Sequence, residues 1–556
     1  MDGDRREPAF DSFALESEFF MNAKRRIKIG GNAVLLVFLS VAAAVCQKGS
    51  AQCIPVESEV VRSTCGGCHQ VDARHCMSRI SGQRKTPEGW EDTIRRMGRT
   101  NGVPSSASQA REIIGYLAAS QGLSSSEVQD IAYALEKRRN VVENVPNEDV
   151  KNACTRCHSY ARIAGERRTR EEWLKLKDFH LATFPEELNS PEWPPSADKA
   201  INFLAQRFPL HTPEWEKERN QPPLGQSSWT IWGHEPGRGD YIGTMSIAPG
   251  KDGTYQSRTS LEFAGGEQEE RNGEGVCYGG YAWRGSTRSS DGRKIREVFE
   301  LSPDRTVARG RWFLEEQPEI GGEEERSLET GPSRIIGVLP RALKIPTTET
   351  SITIVGTHLP TGLAPGDLRL GSNIKVISIL KNTGGQVVAR IAVLPGAVVG
   401  YQDIDMRGTL GRKLLGLYDT FGYIRVLPER GSARTGGVYV PKQSEQFDAV
   451  AYSDGQDGIA GTEDDFEIGT VQANWEIGNY YYKYFADDKQ FVGTIDQHGL
   501  FTPAVETANE KRPETLNNMG SVWVIASYKP PDAKQSLQGR AYLLVAAAAF
   551  MKHDMP

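Results

Sequence analysis

Cys65-Gly-Gly-Cys68-His69 and Cys154-Thr-Arg-Cys157-His158 decide how the N-terminal part of this 556-residue chain is read. Two thiols separated by one helical turn reach the two vinyl groups of a haem and bond to it as thioethers. The adjoining imidazole then lies beneath the iron as its proximal ligand. With 8 Cys and 9 His in the chain, chance supplies roughly 0.002 such pentapeptides. A zinc half-site would need more Cys or His at ribbon spacing, and a redox Cys-x-x-Cys pair would need a βαβ context. The reading is therefore two covalently bound haems c, with Cys65, Cys68, Cys154 and Cys157 as thioether residues and His69 and His158 as proximal ligands.

The segments that follow the motifs repeat. Thr86-Pro-Glu-Gly-Trp90 through Met97 matches Thr169-Arg-Glu-Glu-Trp173 through His180. Each begins with Thr as an N-cap, has Glu in the first turn, and places a side chain able to bind iron two helical turns beyond Trp. Ala110–Leu117 and Lys199–Leu204 supply a third helix to each unit. The cysteines align at 89 residues and the Trp and ligand positions at 83, the difference being a six-residue insertion around Cys76. Met97 and His180 are the expected sixth ligands, with Met77 and His75 as rivals at the first haem. His69/Met97 and His158/His180 would leave neither iron open. The thioether ligand favours reduced iron, so electrons would run from the bis-His haem to the His/Met haem.

Lys24, Arg25, Arg26 and Lys28 precede the 13-residue apolar core Ala33–Val45, and Gly49-Ser-Ala51 offers small residues for a signal peptidase. Export to the periplasm is expected, with Met21 as the start and cleavage after Ala51. The core is shorter than the roughly 20 residues a membrane span needs. Cys46 follows Val45, which is not the small residue that precedes a lipidated cysteine, so no lipid anchor is read there. Cys53 and Cys76 form a candidate disulfide, and Cys277 is a candidate small buried side chain. The 66 Lys+Arg against 72 Asp+Glu provide no basic excess for nucleic acid.

The 57 Gly and 30 Pro point to turn-rich β structure beyond a linker marked by Pro209, Pro213, Pro222 and Pro223. The fold class is a multidomain chain, α-helical and then all-β. The domains are an N-terminal extension and signal peptide (1–51) and a dihaem cytochrome c region (52–212, divided near 140). An antiparallel barrel-like domain (213–332) and two immunoglobulin-like sandwiches (333–425 and 426–556) follow. Strand-like runs include Tyr241–Ile247, Thr254–Phe263 and Lys294–Leu301, then Ser351–Val355 and Gln386–Leu394. The acidic run Gly321–Arg326 reads as a solvated loop. Trp475, Tyr480, Tyr481, Tyr482 and Tyr484 crowd one expected hairpin. Asp454, Asp457, Asp464 and Asp465, spaced by glycines, form a candidate calcium loop, although their order departs from an EF-hand and Asp-Gly pairs also make turns.

The two haem motifs, the Thr-x-Glu-x-Trp helices ending at Met97 and His180, and the β tail with its Asp-Gly-rich loop together resemble the α subunit of quinohemoprotein amine dehydrogenase. The resemblance implies a periplasmic heterotrimer with a propeller β subunit and a small γ subunit. The γ subunit would carry a cysteine tryptophylquinone, where primary amines become aldehyde and ammonia. Electrons would leave through the α-subunit haems to a small copper protein or cytochrome c. No catalytic residue is then expected in this chain. The rival readings are an electron-transfer subunit of another periplasmic dehydrogenase, a dihaem peroxidase, and a binding module whose β domains do the work.

Overall fold

The computed structural model describes residues 53–548, apart from 104–105, 189–190, 192, 220, 438, 481–486 and 513. The export segment, with Met21, Cys46 and Ala51, and Tyr481, Tyr482 and Tyr484 lie outside the described residues.

The first helical unit contains α1 (Glu59–Cys65), β1 (Gln83–Lys85), α2 (Pro87–Asn101) and α3 (Ala107–Ser120). The second contains α4 (Glu148–Cys154), β2 (Glu166–Arg168), α5 (Arg170–Thr183) and α6 (Trp193–Arg207). Side chains capping the backbone explain the boundaries. The Ser58 hydroxyl accepts from Val61 N–H to start α1, and the Asn147 carbonyl oxygen accepts from Val150 N–H to start α4. Thr86 and Thr169 likewise cap α2 and α5 by accepting from Gly89 and Glu172. Each cap satisfies a helical N–H that has no intrahelical partner. At the far end of α2, Gly102 adopts φ 64°, and its N–H closes onto the Met97 carbonyl. In α5 the Phe184 N–H closes onto the His180 carbonyl.

The short antiparallel pair β1–β2 joins the units in the register Gln83↔Arg168, Arg84↔Arg167, Lys85↔Glu166. With the 83-residue repeat, Arg84 pairs with its own equivalent, so a local two-fold axis passes between these two residues. Like charges brought together there need a shared counter-charge, which Glu127 supplies. Its carboxylate accepts from Arg84 at 2.8 Å and from Arg167 at 3.0 Å. Arg84 also lies over the Trp215 ring and Arg167 over Phe208, so the flat faces of both cations are covered.

Residues 227–328 form a closed eight-stranded antiparallel barrel, ordered β10-β3-β4-β5-β6-β7-β8-β9. Its strands are β3 (Ser227–Glu235), β4 (Gly239–Pro249), β5 (Thr254–Phe263), β6 (Gln268–Tyr278), β7 (Ala282–Ser289), β8 (Lys294–Leu301), β9 (Val307–Leu314) and β10 (Gly321–Leu328). Alternation along β5 buries Tyr255, Ser257, Thr259, Leu261 and Phe263, as a strand with one face in a core requires.

The acidic run is not a solvated loop: it is β10, the strand that closes the barrel between β9 and β3. Glu324 and Arg326 point inward and pair at 2.7 Å, and Arg326 also reaches Glu297 at 3.2 Å. Tyr241 donates to Glu324 at 3.0 Å. Charge composition suggested exposure because hydrophobic patterning does not register charges that neutralise one another inside a barrel. On the outer face, Val298 and Phe313 join Tyr160, Trp173, Leu204 and Phe208 in one core, which seats the barrel against the helical units.

Beyond the barrel, one four-stranded sheet contains β11 (Arg334–Leu339), β13 (Thr347–Thr357), β15 (Ile374–Asn382) and β16 (Gln386–Val393). It faces a second made of β12 (Ala342–Lys344), β14 (Leu368–Arg369), β17 (Gly400–Met406) and β18 (Thr409–Tyr418). Ile352, Ile354, Val387 and Ile391 from one sheet meet Ile404, Met406, Leu415 and Leu417 from the other in a shared core. Pairing is not uniformly antiparallel, because β12 runs parallel to β18. Residues 423–546 form three sheets of three, four and three strands instead of a simple two-sheet packing. They too share one core, which includes Phe447, Phe501, Val524 and Leu543.

His234 fastens these β regions together. Its Nδ1–H donates to Asp240 at 2.7 Å and its Nε2–H to Asp448 at 2.8 Å. Arg341, from the facing sheets, pairs with the same Asp240 and with Glu467. Burial alone would lower the His234 pKa, but the two carboxylates outweigh it and push the pKa up to about 9.

Two stability predictions follow from these buried charges. The raised His234 pKa contributes stability that is complete below about 6.5 and is lost as pH rises through about 9. His234→Gln should therefore cost on the order of 2–3 kcal/mol at pH 6. The deficit should shrink toward pH 10 in denaturant titrations, and a deficit independent of pH would refute the clamp. At Glu127, burial opposes ionisation, but Arg84 and Arg167 prevail and push its pKa down to about 2. That stabilisation is complete above the usual carboxylate range and is lost as pH falls toward 2. Glu127→Gln at pH 7 should cost about 3–5 kcal/mol, because it strands two buried guanidinium groups. A loss below 1 kcal/mol would show that the aromatic faces suffice.

Candidate haem centre

The first Cys-x-x-Cys-His motif begins on the last residue of α1, and its chain turns tightly enough for the His69 N–H to bond the Cys65 carbonyl at 2.9 Å. This places Cys65 and His69 on one wall of a cleft. α2 supplies Met97 to the same cleft, and Ile80, Trp90, Ile94 and Leu117 make it apolar. The space enclosed, partly open to solvent, is about 830 Å³. Leu176 and Phe179 of α5 complete the lining from the second unit, together with Arg79, Gln83, Lys85, Arg96 and Arg168. An apolar cleft with a cationic side and no lining carboxylate suits a flat macrocycle that bears two carboxylates.

Proton placement suits iron ligation. The His69 Nδ1 lies 2.8 Å from the Ser78 carbonyl. A carbonyl only accepts, so Nδ1 carries the proton and the neutral ring keeps a lone pair on Nε2. His180 is held in the same way by Leu176 at 2.8 Å, and His158 by Ser159 at 3.2 Å. Burial, with the nearby Arg162 and His180, lowers the His158 pKa despite the Ser159 bond, and so favours the neutral, ligating ring. Asn101 donates to Met97 Sδ at 3.5 Å, one turn beyond it.

Neither rival for the first site faces the cleft. Met77 is buried in the core formed with Val56, Val61 and Trp90, and His75 pairs with Glu57 at 2.8 Å. In the second unit Cys154 ends α4. Phe179 and Phe184 flank His180, with ring centroids at 6.1 and 6.4 Å.

The Cys65 and Cys154 thiols differ from the attacking thiol of a redox pair, whose pKa is lowered. Burial, and then the neighbouring Cys68, raises the pKa of Cys65. Burial pushes Cys154 up to about 11. Among the described residues no group of three or more Cys, His, Asp or Glu is gathered to hold a metal ion.

Cys53 is bonded to Cys76, closing the segment that contains the first Cys-x-x-Cys-His motif. Cys277 is half-buried in β6, where burial pushes its thiol up to about 12. In the Asp-Gly loop the carboxylates serve the loop itself. Asp464 accepts from the Gln456 and Asp457 amides, and Asp457 accepts from Ile459. Asp465 accepts from the Tyr423 hydroxyl and the Gly461 amide. Asp454 is half-buried beside them.

Sequence reasoning did not single out the cleft residues Arg79, Gln83, Lys85, Arg96, Arg168, Leu176 and Phe179. A signal existed for two of them: Arg96 and Phe179 are equivalent in the 83-residue repeat, each one place before an expected ligand. That both line one cleft depends on how the units pack.

Comparison with known proteins agrees along the chain. Residues 56–215 match the haem-binding domain of the quinohemoprotein amine dehydrogenase alpha subunit. Residues 224–327, 332–419 and 424–555 match domains II, III and IV of the same subunit. No curated protein sequence matches the chain. Similar solved structures include a de novo fluorescence-activating β-barrel, 18% identical over 19% of this chain and 94% of that one, with a TM-score of 0.17. Another is the redesigned barrel mFAP1, 11% identical over 18% of this chain and 91% of its own, with a TM-score of 0.16. Neither similarity carries the argument. The four consecutive domain matches do, and the chain belongs to the quinohemoprotein amine dehydrogenase alpha-subunit family, as its haem-binding subunit.

Proposed function

We propose that this chain is the dihaem c electron-transfer subunit of an exported amine dehydrogenase. The observation that carries the reading is the placement of Cys65, His69 and Met97 on the walls of one cleft. A haem c supplies one-electron exchange at its iron. Cys65 and Cys68 would hold the first through thioethers, and Cys154 and Cys157 the second. His69 and Met97 would fill the axial positions of one iron, and His158 and His180 those of the other. The Nδ1–carbonyl bonds fix which imidazole nitrogen faces the metal. Met97, as a thioether ligand, would favour the reduced state of its iron, so that the His/Met site would lie at a higher potential than the bis-His site.

The family resemblance supplies the remaining parts. A quinone on a small partner subunit would oxidise a primary amine to aldehyde and ammonia, and a propeller subunit would complete the complex. Each amine yields two electrons, which matches two one-electron sites. A small periplasmic copper protein or cytochrome c would receive them. Residues 52–212 would form the electron-carrying domain, and the barrel (213–332) with the regions 333–425 and 426–556 would dock partners. The two-sheet core of 333–425 supports the immunoglobulin-like reading there. No helix of the described residues is long and apolar enough to cross a membrane, and export would follow from the segment ending at Ala51.

Met97→Ala and His180→Ala should each convert one six-coordinate low-spin haem to five-coordinate, leaving the other unchanged. A variant that retains both six-coordinate spectra and both potentials refutes that ligand. Quinone staining of the denatured complex should mark a small band lacking haem. If no such band co-purifies with this chain, another periplasmic dehydrogenase becomes the better partner.

A further inference from the structure

The cleft that receives Cys65, His69 and Met97 is lined by four cations, Arg79, Lys85, Arg96 and Arg168, and by no carboxylate. Three of them have protein partners just outside the lining. Glu166 lies 2.9 Å from Lys85 and 2.6 Å from Arg168, and Glu172 lies 3.4 Å from Arg79. Arg96 differs: among the described residues no carboxylate forms an ion pair with it, and Glu166 and Asp92 act on it only from a distance, against burial and the positive charges of Arg162 and Arg168. A half-buried guanidinium without a paired carboxylate is stabilised by an anion that joins it.

Position gives that charge a role. Arg96 precedes Met97 in the penultimate turn of α2, so one short segment offers both a thioether and a cation. Its repeat equivalent, Phe179, precedes His180 and lines the same cleft from α5. The pair is thus asymmetric about the two-fold axis, charged from the first unit and aromatic from the second. A positive charge held beside an iron favours the state with one more electron, by an interaction that grows as water is excluded. This acts in the same direction as the Met97 thioether.

We propose that Arg96 seats a carboxylate of the haem in the first cleft and holds the potential of that haem above that of its neighbour. The proposal rests on haem occupying this cleft. Arg96 is then a positioning and potential-setting residue, and an isosteric loss of its charge should shift electron distribution without removing an iron ligand.

Redox titration of the full-length, haem-loaded protein tests this through Arg96→Gln and Arg96→Lys. Arg95→Gln serves as control, because exposed Arg95 pairs with Glu91 and Asp92 on its own helix. The expected result is a lower midpoint potential for the haem showing the thioether-to-iron absorption band in Arg96→Gln. That band should persist, the other haem should shift little, and Arg96→Lys should stay near the unaltered protein. An unchanged potential in Arg96→Gln, or an equal fall in both haems or in the Arg95 control, overturns the proposal. Should Arg96→Gln fail to retain haem, normal loading of Arg96→Lys supports a charge requirement, and loss of haem from both variants overturns it. Absence of the thioether band from the unaltered protein would instead defeat the Met97 assignment, a separate failure.

Discussion

One carboxylate, Glu127, holds the two helical units in register by accepting from Arg84 and Arg167 across their local two-fold axis. Two guanidinium groups at directly paired ladder positions repel unless an anion and aromatic faces surround them. Trp215 and Phe208 provide those faces. Because β1 and β2 meet here, Lys85 and Arg168 fall on the wall of the first cleft, and α5 reaches across to contribute Leu176 and Phe179. The cleft is consequently a property of the dimer-like pair, although only one motif supplies its thiol, imidazole and thioether.

The same economy of buried charge organises the β regions. Inside the barrel, Arg326 lies between Glu324 and Glu297. At the junction beyond it, His234 lies between Asp240 and Asp448. Each cation has carboxylates on two sides, so desolvation is offset locally. Between the barrel and the first unit, Arg284 reaches Glu88 in the first turn of α2 and Glu300 on β8. The helix that carries Met97 is thus anchored at its start by the barrel, a mechanical link between the β region and the first cleft.

Much of this was legible in the linear chain. The 89- and 83-residue offsets reappear as matched helices with matched caps, because capping and helical periodicity are local properties. The barrel strands β4, β5 and β8 were legible from alternation, whereas β3 was not singled out and β10 read as a loop. Its inward Glu324 and Arg326 are polar, and pairing across the barrel, which makes them tolerable, leaves no trace in a one-dimensional pattern. The immunoglobulin-like expectation captured the β content and the shared core of 333–425. It did not anticipate the parallel pairing of β12 with β18 or the three sheets that follow.

The sequence by itself determined the chemistry-bearing residues and their spacing, since thioether attachment and proximal ligation would depend on residues a few positions apart. Tertiary structure alone decided the environment of those residues. Met77 packs into a core with Trp90, while Met97 lies on the wall of the cleft that His69 also lines. Four cations also converged on one cleft from segments as distant as Arg79 and Arg168. Electrostatics and burial act through space, so neither outcome can be read from neighbours along the chain.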